Sequence, residues 1–292
     1  MSDPTNTLET LSDAWSGLVA RAAPGVVALQ SRRARSSGLV WKPGLVATAD
    51  EPLAEDGDIM AVLPGGERVA ATVAGRDPTT DVALLRVAGT SPVPGAPTPP
   101  TAAAGRLVAA LGARDGAPVA ALGAVSFVGG AWRSMRGGGI DARIELDIAL
   151  RREAEGGPVL DAAGSLLGMA VFGPRGRVLV IPTATINRVA ARLEAHGRIA
   201  RGYLGLSLQP VRLGGGGVGA MVMGVEASGP GARAGVRQGD VITAWDGRPV
   251  ESVPALLRAL GPDTVGSVVK LSLQRGGQPL EVALTIAERP QG

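Results

Sequence analysis

The chain has 292 residues, which is enough for about two domains with separate cores. Its 45% hydrophobic content excludes a disordered chain, and its 44 glycines and 22 prolines favour a β-rich fold with many turns. With no cysteine and one histidine, the chain has no disulfides, thiol nucleophiles or histidine-rich metal sites. The net charge is only +3 and the arginines are scattered, so we expect no nucleic-acid binding.

An amphipathic helix is the first predicted element, over 7–22, where apolar residues recur at helical spacing. Short apolar runs between turn residues then predict antiparallel strands, and a proline-rich stretch at 91–105 predicts a loop. A second helix is predicted over 183–195, ended by Gly197. The predicted strands fall in four stretches: 24–111, 106–130, 140–150 and 165–182.

A second unit follows a short junction and has its own strand, turn and helix signals, including a helix over 253–260. The predicted organisation has four parts: a helical segment 1–17, a first domain 18–197, a linker 198–202 and a second domain 203–288.

Three segments of the first domain are GLVATADE at 44–51, GRDPTTDVALL at 75–85 and LDIALRREAEGGPVL at 146–160. In their order and spacing they resemble the trypsin-like domain of the HtrA/Deg family of serine proteases. The second unit resembles a PDZ domain, most specifically in the run GVRQGDVI at 235–242. The resemblance implies a mostly β fold: a trypsin-like double β-barrel, then an α+β PDZ domain with a small antiparallel sheet and helices.

The three segments also contain the positions that match the family's catalytic triad. Only one of these positions has the same residue type as in the family. Glu51 stands where the family has its histidine, Asp81 matches the aspartate, and Glu155 stands where the family has its serine. Glu153 replaces the glycine of the oxyanion position. A carboxylate has no hydroxyl for attack and is a weak base, and His196 lies far along the chain. We therefore expect no catalytic residues and an inactive pseudoprotease.

Several carboxylates would then converge in one cleft, where they cannot all ionise without a partner. The favoured interpretation is an internal ion pair with Arg151 or Arg152. Two alternatives stay open, a hard cation held by carboxylate oxygens and an active serine endopeptidase. A carboxylate-dyad hydrolase lacks a group to position water. No metal site and no cofactor is predicted.

Peptide binding is still expected from the resemblance, because it does not need the catalytic residues. PDZ domains add a peptide to their sheet as an extra strand and bind its terminal carboxylate with the backbone amides of a loop. Apolar residues of the predicted helix would line the opposite wall and favour apolar C-terminal side chains. The expected peptide-binding residues are Tyr203, Leu204, Gly205, Leu206, Ser207, Leu208, Leu256, Leu257 and Leu260.

The sequence thus predicts an adaptor or scaffold for C-terminal or extended peptides, with an active relative as one candidate partner. Family members commonly form trimers through N-terminal aromatic contacts, and this segment offers only Trp15, so a homo-oligomer is left open and a trimer is not assumed. The N-terminus has no signal-peptide pattern and no run is long enough to span a membrane, which predicts a cytoplasmic protein as written. The resemblance implies a periplasmic protein if the true start lies upstream.

Overall fold

The computed structural model describes residues 4–32, 34–53, 58–91, 100, 102–261 and 264–289. Most of the loop predicted at 91–105 lies outside these residues. The chain divides into two compact units, with the division between Ile199 and Ala200. No helix of the described residues has both the length and the apolar character needed to cross a membrane.

The first helix, α1 (Pro4–Ala22), extends past the predicted segment boundary at residue 17. Leu18 is buried with Val26 and Ala28 of the strand that follows, because the apolar stripe of the helix continues through its last turn. The C-terminal half of α1 is therefore packed on the first unit rather than forming a separate segment.

The first unit contains two closed antiparallel barrels of six strands each. Barrel one has the strand order β1-β2-β3-β6-β5-β4. Its strands are β1 (Val26–Gln30), β2 (Arg35–Lys42), β3 (Leu45–Thr48), β4 (Ile59–Val62), β5 (Arg68–Asp77) and β6 (Val82–Val87).

Barrel two has the order β11-β14-β13-β12-β7-β8, and a separate two-stranded sheet joins β9 to β10. The strands are β7 (Leu107–Arg114), β8 (Ala117–Gly129), β9 (Trp132–Arg133), β10 (Gly139–Ile140), β11 (Arg143–Asp147), β12 (Pro158–Asp161), β13 (Leu166–Phe172) and β14 (Val178–Pro182).

Helix α2 (Thr183–His196) closes the first unit, as the sequence predicts. Ile186, Val189 and Leu193 are buried in a cluster that includes side chains of both barrels. Gly197 ends the helix in a left-handed conformation, and its backbone N–H donates to the carbonyl of Leu193. His196 is exposed at the last turn, so the single histidine is a surface residue of the helix end.

The second unit is built around one antiparallel sheet, β16-β17-β18-β20-β21, in which β19 also pairs with β18; a small second sheet pairs β15 with β22. The strands are β15 (Gly202–Tyr203), β16 (Leu206–Arg212), β17 (Val218–Val225), β18 (Val241–Trp245), β19 (Arg248–Pro249), β20 (Val268–Arg275), β21 (Gln278–Thr285) and β22 (Ala287–Glu288). Two short helices, α3 (Pro230–Arg233) and α4 (Val253–Arg258), complete it; α4 ends two residues before the predicted bound.

Candidate active-site cleft and peptide-binding groove

The three positions that the sequence assigns to the catalytic triad lie together at the first unit's cleft. Glu51 follows β3, Asp81 lies in the turn between β5 and β6, and Glu155 precedes β12. The negative charges of Glu155 and Glu51 both act on the carboxyl of Asp81, and the charge of Glu51 acts on Glu155. The fold therefore brings together the three carboxylates that the sequence predicts to converge.

Asp81 is a hydrogen-bond acceptor that holds the turn after β3. Its Oδ1 accepts the backbone N–H groups of Asp50 at 3.0 Å and Glu51 at 2.8 Å. Burial is the main cause that raises the pKa of Asp81 to about 7, and the negative charges of Glu155, Asp50 and Glu51 add to it. The aspartate that matches the family pattern is thus a half-buried acid with a raised pKa.

Glu155 is only 7% exposed, and one carboxylate oxygen accepts the backbone N–H of Phe172 at 3.4 Å. Burial raises its pKa above the ordinary range, and the charge of Glu51 acts in the same direction. Arg152 lowers that pKa by its charge, but its guanidinium lies over the ring of Phe172 at 5.8 Å. Within the described residues no ion pair shorter than 4 Å reaches Glu155, so the predicted bridge to Arg151 or Arg152 is wrong.

Glu153 has a different partner from the one expected. Its carboxylate pairs with Arg114 of β7 at 2.7 Å, and its carbonyl accepts the Ser37 hydroxyl at 2.5 Å. A hydrogen bond from its own backbone N–H is the main cause that lowers its pKa, and the Arg114 guanidinium adds to this. Arg114 was not singled out from the sequence because it lies 39 residues away, in a strand whose register only the fold sets.

Asp50 and Arg76 are a second pair that the sequence analysis missed. Asp50 is 3% exposed, and its Oδ1 accepts the Arg76 Nε–H at 2.5 Å, while an Arg76 Nη2–H donates to the Asp50 carbonyl at 3.0 Å. The only sequence signal was their place inside the two segments that carry the resemblance. This pair neutralises the carboxylate next to Glu51 and anchors the turn.

Oxyanion stabilisation in trypsin-like sites uses the backbone N–H groups of the nucleophile and of the residue two before it. Here the Glu155 N–H donates to the carbonyl of Arg152 at 3.1 Å, closing a 3₁₀ turn over Arg152–Ala154. The Glu155 amide is therefore engaged inside the loop.

One alternative that the sequence leaves open is a hard cation held by carboxylate oxygens. Across the described ranges, no three or more His, Asp or Glu side chains are grouped so that they could hold one.

The second unit presents an edge strand beside a helix. In the described part of the sheet, β16 pairs with β17 along one edge only, and α4 packs near it. Leu206 and Leu208 alternate with exposed Ser207, so two apolar side chains of β16 face the core while its polar ones face outward. An extended peptide needs such a strand edge to add to a sheet.

The loop before β16 is held by two backbone hydrogen bonds. Gly205 has φ +67°, and its carbonyl accepts the Glu226 N–H at 2.9 Å, while the Leu204 carbonyl accepts the Gly231 N–H at 2.8 Å. Among the described residues, nothing accepts the backbone N–H groups of Leu204 and Gly205. Tyr203 lies in β15, just before these two residues.

The leucines predicted for the helical wall separate into two environments. Leu256 is 6% exposed and belongs to the core of the second unit, and Leu260, beyond the end of α4, packs partly against the same core. Leu257 is 49% exposed. Leu257 is therefore the residue of the three that a bound peptide can contact most fully.

Comparisons with known proteins agree with the fold of each of the two units. Residues 36–169 match the trypsin-like peptidase domain family, and residues 202–286 match the PDZ domain family. A probable periplasmic serine endoprotease DegP-like protein of Brucella suis is 30% identical over 285 residues, covering 88% of this chain and 53% of the relative. The chain thus spans about half the length of the curated relatives it matches.

Two solved structures share the fold over nearly the whole chain. The serine endoprotease from Yersinia pestis has a TM-score of 0.70 at 26% identity and covers 94% of this chain and 98% of its own. The HtrA-type protease AlgW with a tripeptide has a TM-score of 0.66 at 25% identity, covering 95% of this chain and 98% of its own. The predicted double barrel followed by a PDZ domain is confirmed.

Proposed function

This chain is a member of the HtrA family, with a trypsin-like peptidase domain followed by a PDZ domain, and we propose that it is a peptide-binding member whose protease site is inactive. The observation that carries the proposal is Glu155, a buried carboxylate at the position that requires a nucleophilic hydroxyl. Its relatives are named serine endoproteases. Under this proposal the chain shares their fold but does not catalyse peptide-bond cleavage.

The environment of the cleft supports inactivity beyond the loss of the serine. A serine protease needs an imidazole base, and Glu51 occupies that position while the only histidine is exposed at the end of α2. The Glu155 amide, one of the two that would stabilise an oxyanion, is engaged within the loop, and the carboxylates nearby would repel a developing negative charge. Each loss opposes acyl transfer by a different mechanism.

Peptide binding is supported by the second unit. The free edge of β16 supplies main-chain hydrogen bonds, the amides of Leu204 and Gly205 suit a carboxylate, and Leu257 offers an apolar contact. AlgW, solved with a tripeptide, has the same overall fold. We propose that the ligand is a C-terminal segment ending in an apolar residue, and that the chain acts in the periplasm, where its relatives are named as acting.

Isothermal titration of the full chain with short peptides that end in valine or leucine tests the binding. We expect binding that is lost when the peptide carboxylate is amidated, because the loop amides then face a neutral group. Leu257→Asp should weaken binding at least about tenfold. The matched control is Val268→Asp, which is also exposed in the second unit but lies on β20, and it should leave the affinity unchanged.

Cleavage of fluorescent casein, measured in parallel, tests the inactivity. We expect no cleavage by the full chain and the same baseline for Glu155→Ala. Cleavage that the wild type shows and Glu155→Ala lacks would overturn the inactive-site proposal while leaving the binding result intact. Equal binding of the free and amidated peptides would instead refute the proposed groove.

A further inference from the structure

Two carbonyl groups of the loop before β16 are bonded to one segment, 226–231. The Leu204 carbonyl accepts the Gly231 N–H at 2.8 Å, and the Gly205 carbonyl accepts the Glu226 N–H at 2.9 Å. The described residues contain no cis peptide bond, and in a trans peptide the carbonyl and the N–H that follows it point in opposite directions. The N–H groups of Gly205 and Leu206 therefore point away from the segment 226–231.

The side to which these two N–H groups point carries no strand. In the described part of the sheet β16 pairs only with β17, and Glu226 directly follows β17, so the Leu206 N–H is directed to the unpaired edge of β16. Among the described residues, nothing accepts the Gly205 N–H. Two adjacent N–H donors at the start of an unpaired strand edge match the oxygens of a carboxylate.

The segment 226–231 is itself fixed within the second unit. The Gly229 N–H donates to the Glu226 carbonyl at 2.9 Å, which closes a β-turn, and the Val236 N–H donates to the Gly231 carbonyl at 2.9 Å. Val236 is a buried member of the core. Because the segment follows β17 at one end and is bonded to the core at the other, its two N–H donors have a fixed position.

Close contact between the two backbones adds to these hydrogen bonds. A Cβ at Gly205, where φ is +67°, would lie 3.0 Å from the Gly229 Cα. A Cβ at Gly231 would lie 3.0 Å from the Leu204 carbonyl oxygen. Glycine at these positions lets the loop and the segment meet. Rotation of either peptide plane of the loop would break one of the two hydrogen bonds, so the direction of the loop N–H groups is fixed.

We propose that the Glu226 and Gly231 N–H groups position the loop for peptide binding. By holding its two carbonyls, they keep the Gly205 and Leu206 N–H groups directed at the carboxylate of a bound C-terminus. Binding then does not have to order the loop, which would lower the affinity. The inference rests on the proposed function, and it assigns carboxylate recognition in part to two residues outside the predicted peptide-binding set.

Glu226→Pro removes one of the two donors and tests the positioning in the full chain. In isothermal titration with a short peptide that ends in valine, we expect the affinity to fall at least about tenfold, because binding must now order the loop. The advantage of this peptide over its amidated form should shrink, since the loss concerns recognition of the carboxylate. A general loss of structure would weaken binding of both peptides alike.

Ala227→Pro is the matched control, because it places a proline at the neighbouring position. Ala227 is the second residue of the β-turn that Gly229 closes, its φ is not positive, and nothing among the described residues accepts its N–H, so a proline fits there. We expect wild-type affinity for the valine peptide. Equal losses in the two proline variants would overturn the inference, and so would wild-type binding by Glu226→Pro.

Hydrogen exchange of the wild-type full chain without peptide covers the case in which Glu226→Pro does not fold. Relative to their intrinsic rates, the amides of Glu226 and Gly231 should exchange more slowly than those of Gly205 and Leu206, because the first two donate to carbonyls and the others point to the open edge. Equal or slower exchange at Gly205 and Leu206 would overturn the inference. A wild type that binds free and amidated peptides equally would instead refute the proposed groove, and the exchange pattern would still decide how the loop is held.

Discussion

Gly157→Ala should destabilise the first unit by at least about 3 kcal/mol or prevent its folding. A Cβ at this position would lie 1.9 Å from the carbonyl oxygen of Leu111 and 3.0 Å from its carbonyl carbon. Both atoms are backbone of β7, which is paired with β12, so neither can move aside without breaking the strand pairing of barrel two. The effect should appear in urea unfolding of the full chain as a lower midpoint of the first unit's transition.

Gly130→Ala is the matched control, because it adds the same methyl group in the same unit where no atom lies within 4 Å. Its effect should stay within about 0.5 kcal/mol of the wild type. Equal stability of the two variants would mean that the strands yield to the added methyl group, and the packing argument would be wrong.

The same close packing explains why the two glycines of the segment are present although its serine is not. A Cβ at Gly156 would lie 2.3 Å from the carbonyl oxygen of Ser37, and the backbone there has φ +82°. Packing of the two barrels therefore requires both glycines whether or not residue 155 is a nucleophile. Residues 153 and 155 carry no such restriction and are glutamates here.

Arg275→Ala should destabilise the second unit by more than the loss of an exposed ion pair does, because it leaves a buried carboxylate without its charged partner. The Asp240 side chain is 1% exposed, and it accepts Arg275 Nε–H and Nη2–H, each at 2.8 Å, together with the Arg237 backbone N–H at 2.8 Å. Removing the guanidinium leaves a buried carboxylate with one donor, and the Gly235 carbonyl also loses its bond from Arg275. Faster hydrogen exchange across β18 and β20 of the full chain is the readout.

Lys270→Ala is the comparison on the same strand. Lys270 pairs with Glu281 at 2.6 Å, but both side chains are more than half exposed, so the loss should stay below about 1 kcal/mol. If Lys270→Ala and Arg275→Ala accelerate exchange equally, burial is not what makes the Asp240 pair important.

The acid dependence of the second unit should change in parallel. The hydrogen bonds from Arg275 hold the pKa of Asp240 below its ordinary value of 3.8, so the stability this group contributes is present above that value and is lost as the pH falls through the lower pKa of the folded state. In Arg275→Ala the folded-state pKa moves back toward the ordinary value, so the part of the acid-induced loss of stability that comes from Asp240 should shrink or disappear.

The sequence alone was enough to predict the two kinds of domain and their order, and it predicts which carboxylates stand at the catalytic positions. These follow from local segments whose residue types carry the information, such as GRDPTTDVALL and GVRQGDVI. Helix α2 was also predicted within one residue, because its apolar stripe and terminal glycine are local signals.

The tertiary structure decided which groups meet across the chain. The pairs Glu153–Arg114 and Asp50–Arg76 join different strands, and strand register is set by packing on both faces of a barrel rather than by spacing along the sequence. Helical spacing likewise could not separate Leu256 from Leu257, since only the sheet beneath α4 determines which of the two is buried. The pKa of Asp81 near 7 has the same origin, because it arises from burial and from carboxylates brought close by folding.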